Sequence, residues 1–287
     1  MRVYVVALYV MQDTPSFYYQ GVAALARSIQ VSDKNSKFVL YMNRADYLDD
    51  FKFKKTGVNI EILQSEYYIS DVEEPESFPG SLYTLDVIKK IAQAESLDEY
   101  IILDPDCLVI GEIDSRFLER HGCNIGFYKL IEGADYQFNK FPFERYGKDI
   151  NLIGGEVIMI NTQGAKEICQ AIGSITDRRG LLTEEHYLTV IANQGKIRYC
   201  HINTEVKRIW TRMSYRNCAD RDYLYKIIHL PAEKKKGIPR LFDKIDFINS
   251  HDDLIESIRY FTWLKESVLL DSISKIYRWT KNFRGRA

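Results

Sequence analysis

The chain has 287 residues, 46% hydrophobic and 28% charged, an ordinary globular mix with enough apolar material for one large core or two modest ones. A formal net charge of -1 gives the whole molecule no electrostatic reason to favour nucleic acid, which argues against DNA or RNA as its main partner. Cys107, Cys123, Cys169, Cys200 and Cys218 are scattered without CxxC or CxxH spacing, so neither a zinc site nor a disulfide framework is signalled, and a reducing cytosol is the expected setting.

Residues 2–10, RVYVVALYV, are apolar on both faces, as in a strand of a parallel sheet, and too short to span a bilayer. After QDTPSF, residues 18–30 carry apolar side chains at helical spacing. KFVLYMN reads as a second strand, residues 46–56 as a short helix and VNIEIL as a third strand. This alternation predicts an α/β sheet with right-handed crossovers. Residues 64–79 are polar and acidic with two prolines and read as a long surface loop. SLYTLDVIKKIAQAES is an amphipathic helix that leads into the strand YIIL. A short helix over 114–121 and the strand CNIGFYKL follow. Residues 131–151 form an aromatic excursion of the length that binding loops have. LIGGEVIMINTQGA reads as a strand with two glycines where a backbone or ligand approaches closely. Helices are expected over 166–175 and 183–193, then the strands KIRYCHIN and YKIIH, and a helical segment from residue 247 onward.

The most informative stretch is YIILDPDCLVIGEI, residues 100–113, in which an apolar strand runs straight into Asp104 and Asp106. Ionised carboxylates beside a buried strand are costly unless paired, hydrogen-bonded or bound to a cation. Two residues apart in extended chain, both side chains leave one face and can approach one ion, and hard oxygen ligands suit Mg2+ or Mn2+. The carboxyl ends of strands are also where open α/β sheets bind ligands. His229 likewise follows an apolar strand, and an imidazole is a common metal ligand. Lys234, Lys235, Lys236 and Arg240 lie just beyond it, and lysines together with a divalent ion neutralise a diphosphate. The 20 Tyr and 14 Phe offer faces that stack on bases and sugar rings or fill an aromatic core.

Taken in order, GVAALARSI, YIILDPDCLV, GGEVIMIN and IIHLPAEKKKGIP resemble the metal-dependent GT-A glycosyltransferases of the glycogenin and lipopolysaccharide galactosyltransferase branch. The resemblance spans about residues 2–240. It implies an α/β GT-A fold, a mixed Rossmann-like sheet flanked by helices, as a catalytic domain over 1–246 with a helical basic and aromatic tail over 247–287. It also implies that Asp104, Asp106 and His229 hold Mn2+ (or Mg2+) on the diphosphate of a UDP-sugar donor. Lys235, or Lys234 if the loop differs by one, would contact phosphate. Tyr18 would stack on uracil, Ala7 would lie near the base, and Asp13 would read uracil or ribose. Glu184 and Glu185 fall where the family holds the donor sugar and are the candidate catalytic carboxylates. Thr183 followed by acidic residues is equally good helix-capping chemistry.

The sequence departs from the family pattern at several points. Gly154 stands for an Asn and Glu156 for a Gly, TEEHYLT replaces D-Q-D-x-L-N, Thr84 or Leu85 occupies the place of an Arg, and Ala232 replaces the Gly after the histidine. The donor sugar therefore does not carry over. The expected reaction is transfer of a hexose to a glycan or lipid-linked saccharide, with retention. The tail combines Trp263, Trp279 and Tyr277 with Arg278, Lys281, Arg284 and Arg286, a composition suited to an anionic membrane surface or to packing on the domain. The expected location is the cytoplasm, peripheral to the membrane. Two rival readings remain open: a haloacid-dehalogenase-type phosphatase using Asp104 and Asp106, and a non-catalytic sugar-nucleotide-binding relative.

Overall fold

The computed structural model describes residues 1–44, 59–64, 79–130, 141–147, 150–209 and 224–262. The expected helix over 46–56, most of the 64–79 loop, most of the 131–151 excursion and the tail beyond residue 262 lie outside the described residues. These residues fall into two compact units. The first takes its residues from Met1–Thr14, Asn35–Asp104 and Ile113–Thr204, the second from Pro15–Lys34, Pro105–Glu112 and from Glu205 onward.

In chain order the elements are β1 (Arg2–Leu8), α1 (Ser16–Ser32), β2 (Lys37–Met42), β3 (Asn59–Ile62), α2 (Pro79–Ala92), β4 (Glu99–Leu103) and β5 (Cys107–Val109). There follow β6 (Ile125–Lys129), β7 (Ile153–Asn161), α3 (Thr162–Gly173), α4 (Glu184–Asn193), β8 (Tyr199–His201), β9 (Val206–Arg208), β10 (Ile227–His229), α5 (Gly237–Asp243) and α6 (His251–Phe261). The segment expected to be a helix over 114–121 forms a single turn over Phe117–Arg120.

The first unit is built on a seven-stranded sheet in the order β3-β2-β1-β4-β7-β6-β8. β1 pairs in parallel with both β2 and β4 as an inner strand, and its successive side chains are buried on both faces, which accounts for its unbroken apolar run. The chain works outward from β1 to β3 and then returns to place β4 on the other flank, so the strand order reverses at β1. Crevices outside such a switch point are where α/β sheets take ligands. β7 runs antiparallel to β4, with Leu103 opposite Val157, so the start of β7 lies beside the end of β4.

Helix α3 starts earlier than the apolar pattern predicts. Asn161 leaves the strand in extended conformation and its side chain accepts a hydrogen bond from the Gly164 amide, so the polar NTQ run caps a helix instead of extending β7. In α4, Thr183 is the N-cap and its side chain accepts from the His186 amide, in line with the capping reading of TEEH.

The second unit packs α1, α5 and α6 around a three-stranded sheet in the order β5-β10-β9. Its core joins Ala24, Leu108, Ile110, Ile209, Ile228, Leu230, Ile238, Leu241 and Leu254. The Ser28 hydroxyl accepts a hydrogen bond from the Val109 amide at 3.0 Å and donates to the Leu25 carbonyl, pinning α1 to β5. Gly21 lets that helix come close: a Cβ there would collide with the carbonyl oxygen of Pro105.

Candidate functional site

The chain passes from the first unit to the second between Asp104 and Pro105. Asp106 begins the run into β5, and β5 pairs antiparallel with β10, so that Cys107 lies opposite His229. The Leu230 amide donates to the Asp106 carbonyl at 3.0 Å, locking the two segments together one residue beyond the ladder. This register brings the His229 Nε2 to 3.3 Å from Asp106 Oδ2. Lys234 Nζ reaches the same oxygen at 3.2 Å from the 3-10 turn Pro231–Glu233 and its following residue.

Asp106 is 1% exposed and His229 2%. Burial alone would raise the Asp106 carboxyl, but Lys234 and His229 outweigh it and hold the group below the usual carboxylate range. Asp106 Oδ1 is buried and accepts no hydrogen bond among the described residues. A buried anionic oxygen in that condition is suited to a cation. Asp106 and His229 form the part of the expected metal-ligand set that lies within the second unit, and Asp104 precedes Asp106 by two residues in the chain. Two carboxylates and one imidazole fit Mn2+ well, and fit the oxygen-seeking Mg2+ less closely.

The two candidate lysines stand in different settings. Lys234 is half-buried and its ammonium stands 5.3 Å from the centre of the Tyr18 ring, in the first turn of α1. Lys235 is exposed, 5.8 Å from the ring of Phe17. A small cleft between α1 and the turn after β10 is lined by Tyr18, Gly21, Asp106, Lys234 and Ile238.

The remaining predicted residues belong to the first unit. Ala7 sits near the end of β1, opposite Tyr41, and Asp13 is exposed after that strand. Glu184 and Glu185 open α4 beside the start of β7. Glu185 accepts from the Gly155 amide at 3.2 Å, and a Cβ at residue 155 would collide with the Glu184 carboxylate. Burial, then Glu185, Asp104 and Glu156, push the Glu184 carboxyl well above the ordinary range. The upward push prevails even at a helix N-terminus, because desolvation and like charges exceed the favourable dipole.

Two residues beside this group were not among the expected site residues. Ser81, in the first turn of α2, meets the Glu184 carboxyl oxygen and accepts from the Glu184 amide at 3.1 Å. Glu156, 1% exposed, gives its carbonyl to the Asp104 amide at 3.0 Å. Glu156 was legible as a carboxylate inside an apolar strand, which is costly without a purpose. Ser81 carries no sequence signal, since a serine near a helix start is commonplace. His186 is structural: it is buried, its Nδ1 accepts from the Leu182 amide at 3.1 Å, and burial pushes its pKa down to about 4. Thr84 and Leu85, where the family pattern has an Arg, are both buried in α2.

The fold is the GT-A fold of glycosyltransferases. An active-site mutant of the protein LgtC superposes with a TM-score of 0.54 at 13% identity, covering 86% of this chain and 95% of that one. The galactosyltransferase LgtC in complex with donor and acceptor sugar analogues gives 0.51 at 11% identity, over 95% and 99%. The bifunctional glycosyltransferase WbbM gives 0.52 at 15% identity, with 92% of this chain on 50% of that one. No protein-family model matches the chain, and no curated protein matches it in sequence.

Proposed function

We propose that this chain is a metal-dependent glycosyltransferase that moves a hexose from a UDP-sugar to a glycan or lipid-linked saccharide, with retention of configuration. The observation that carries the reading is the buried Asp106, joined by His229 and Lys234 on one oxygen, directly after the central strand of a GT-A sheet. Asp104, Asp106 and His229 would hold Mn2+ (or Mg2+), which supplies positive charge to the diphosphate as it leaves. Lys234, on a partly exposed arm, adds its ammonium to the same leaving group, while Lys235 meets phosphate only at the rim.

Tyr18 offers its ring as a face for the uracil, with Ala7 and Asp13 beside the base and ribose in this reading. Glu185 keeps its carboxylate fixed against the Gly155 amide and receives hydroxyls of the donor sugar. Glu184, set against Ser81 and pushed up by burial and the carboxylates around it, is the second candidate catalytic carboxyl beside Glu185.

The phosphatase reading asks Asp106 to trade a proton, and the Lys234 ammonium 3.2 Å away, which favours the ionised carboxylate, opposes that role. A non-catalytic sugar-nucleotide binder is separated by Mn2+-dependent hydrolysis of the donor, which only a transferase supports. Among the described residues no helix is long and apolar enough to cross a membrane. Peripheral contact with an anionic membrane through the basic tail, at the cytoplasmic face, is part of the proposal.

The test is a thermal-shift panel of UDP-, GDP-, CDP- and ADP-sugars with and without Mn2+, since a ligand stabilises the state it binds. Stabilisation by a UDP-sugar that requires the metal is expected. Equal UDP binding with chelator and with Mn2+ overturns the reading.

A further inference from the structure

The second pair of interest lies away from the acidic groups, at the far edge of the seven-stranded sheet. Cys200, in β8, pairs in register with Gly126 of β6, and Cys123 occupies the turn that leads into β6. The two sulfur atoms are 2.7 Å apart. That is inside the contact distance of two unbonded sulfurs, though clearly longer than the ~2.05 Å of a disulfide, so the two thiols are free and close enough to be joined. Each thiol is also steered by a backbone carbonyl, Cys123 towards Leu118 at 3.8 Å and Cys200 towards Ile125 at 3.6 Å. The parallel pairing of β6 and β8 fixes this approach, since residues 125–127 bond in order with residues 199–201.

We propose that Cys123 and Cys200 are an oxidation site that closes to an intrachain disulfide with a disulfide oxidant such as oxidised glutathione. Cys200 is partly exposed whereas Cys123 is buried, so Cys200 meets the oxidant first. Its thiolate attacks one sulfur of the glutathione disulfide, forming a mixed disulfide and releasing one glutathione thiolate. The Cys123 thiolate then attacks the Cys200 sulfur and releases the second glutathione. Two protein thiols are oxidised, one glutathione disulfide is reduced to two thiols, and the two protons given up by the cysteines end on the two departing glutathione sulfurs. Burial, and then the neighbouring Cys123, push the Cys200 thiol up, so the reaction is slow at neutral pH and is best driven in alkaline buffer. The bond would tie the edge strand β8 to the entry of β6 across a long stretch of chain. A closure of that length restricts the unfolded state strongly.

The full chain is incubated with oxidised glutathione at alkaline pH, quenched with an alkylating agent, and digested without reductant. The expected result is one cross-linked peptide carrying Cys123 and Cys200, lighter by two hydrogens than its parts, with both cysteines lost from the alkylated pool. The melting temperature should rise by roughly 5 °C or more and return on reduction. Cys200→Ser should give neither the cross-link nor the rise. A folded protein in which Cys200 retains glutathione while Cys123 stays alkylatable overturns the proposal, and so does full alkylation of both Cys123 and Cys200 after oxidation.

Discussion

Lys234 and His229 approach the same oxygen of Asp106, at 3.2 and 3.3 Å, while Lys235 one residue on points to the exposed rim. The two neighbouring lysines are therefore unequal. Lys234→Ala should weaken UDP binding in the presence of Mn2+ by ~10-fold or more, as expected for removal of a charge-assisted phosphate contact. Lys235→Ala should change it by roughly 3-fold or less. Titration calorimetry with UDP reads both.

Asp106→Ala removes the buried carboxylate and leaves His229 and Lys234 facing each other. Metal-dependent UDP binding should be lost, and Mn2+ should no longer alter the melting temperature. Asp106→Asn, which keeps the volume, should lose metal binding while retaining more of the fold. Mn2+ titration followed by electron paramagnetic resonance checks the metal directly.

Gly21→Ala places a methyl group against the Pro105 carbonyl, a backbone atom that cannot swing aside. The expected cost is about 1–3 kcal/mol of stability, typical of an overpacked contact. Because Pro105 lies between the two aspartates, UDP affinity should fall as well. Urea unfolding and nucleotide titration on one preparation test both effects.

Gly155→Ala meets the end of a side chain, the Glu184 carboxylate. Its cost should be partly relieved when Glu184 is shortened to Ala. Melting temperatures of the two single variants and the double variant form a cycle in which additivity would refute the contact.

His186 gives a pH signature independent of the metal site. In the folded chain burial lowers its pKa from 6.5 to about 4, while the unfolded chain takes up its proton near 6.5. The folded state therefore loses stability as pH falls from 6.5 towards 4 and levels off below that. The shift corresponds to about 3 kcal/mol. His186→Gln, which can still accept from the Leu182 amide, should flatten this slope in urea midpoints measured across the same range.

The strands were legible wherever burial on both faces left an unbroken apolar run, as in RVYVVAL and EYIIL. Boundaries were read less well where polar residues served as caps. Asn161 looks like the end of a strand and acts as the start of a helix, because its side chain satisfies an amide that no periodicity reveals. The three-residue strand β9 was not anticipated, since so short a segment carries too few side chains to display an alternation.

The sequence by itself determined the alternation of the longer strands and helices, the pair of aspartates at the end of a central strand and the histidine at the end of a late one. Those features are written in neighbouring residues, through apolar runs and the cost of burying charge. Only the tertiary structure decided which lysine reaches Asp106, that Ser81 and Glu156 stand beside Glu184 and Asp104, and that Cys123 meets Cys200. These pairings join positions far apart along the chain. They are fixed by strand register and by crossovers, which depend on packing between whole elements and leave no mark on either residue alone.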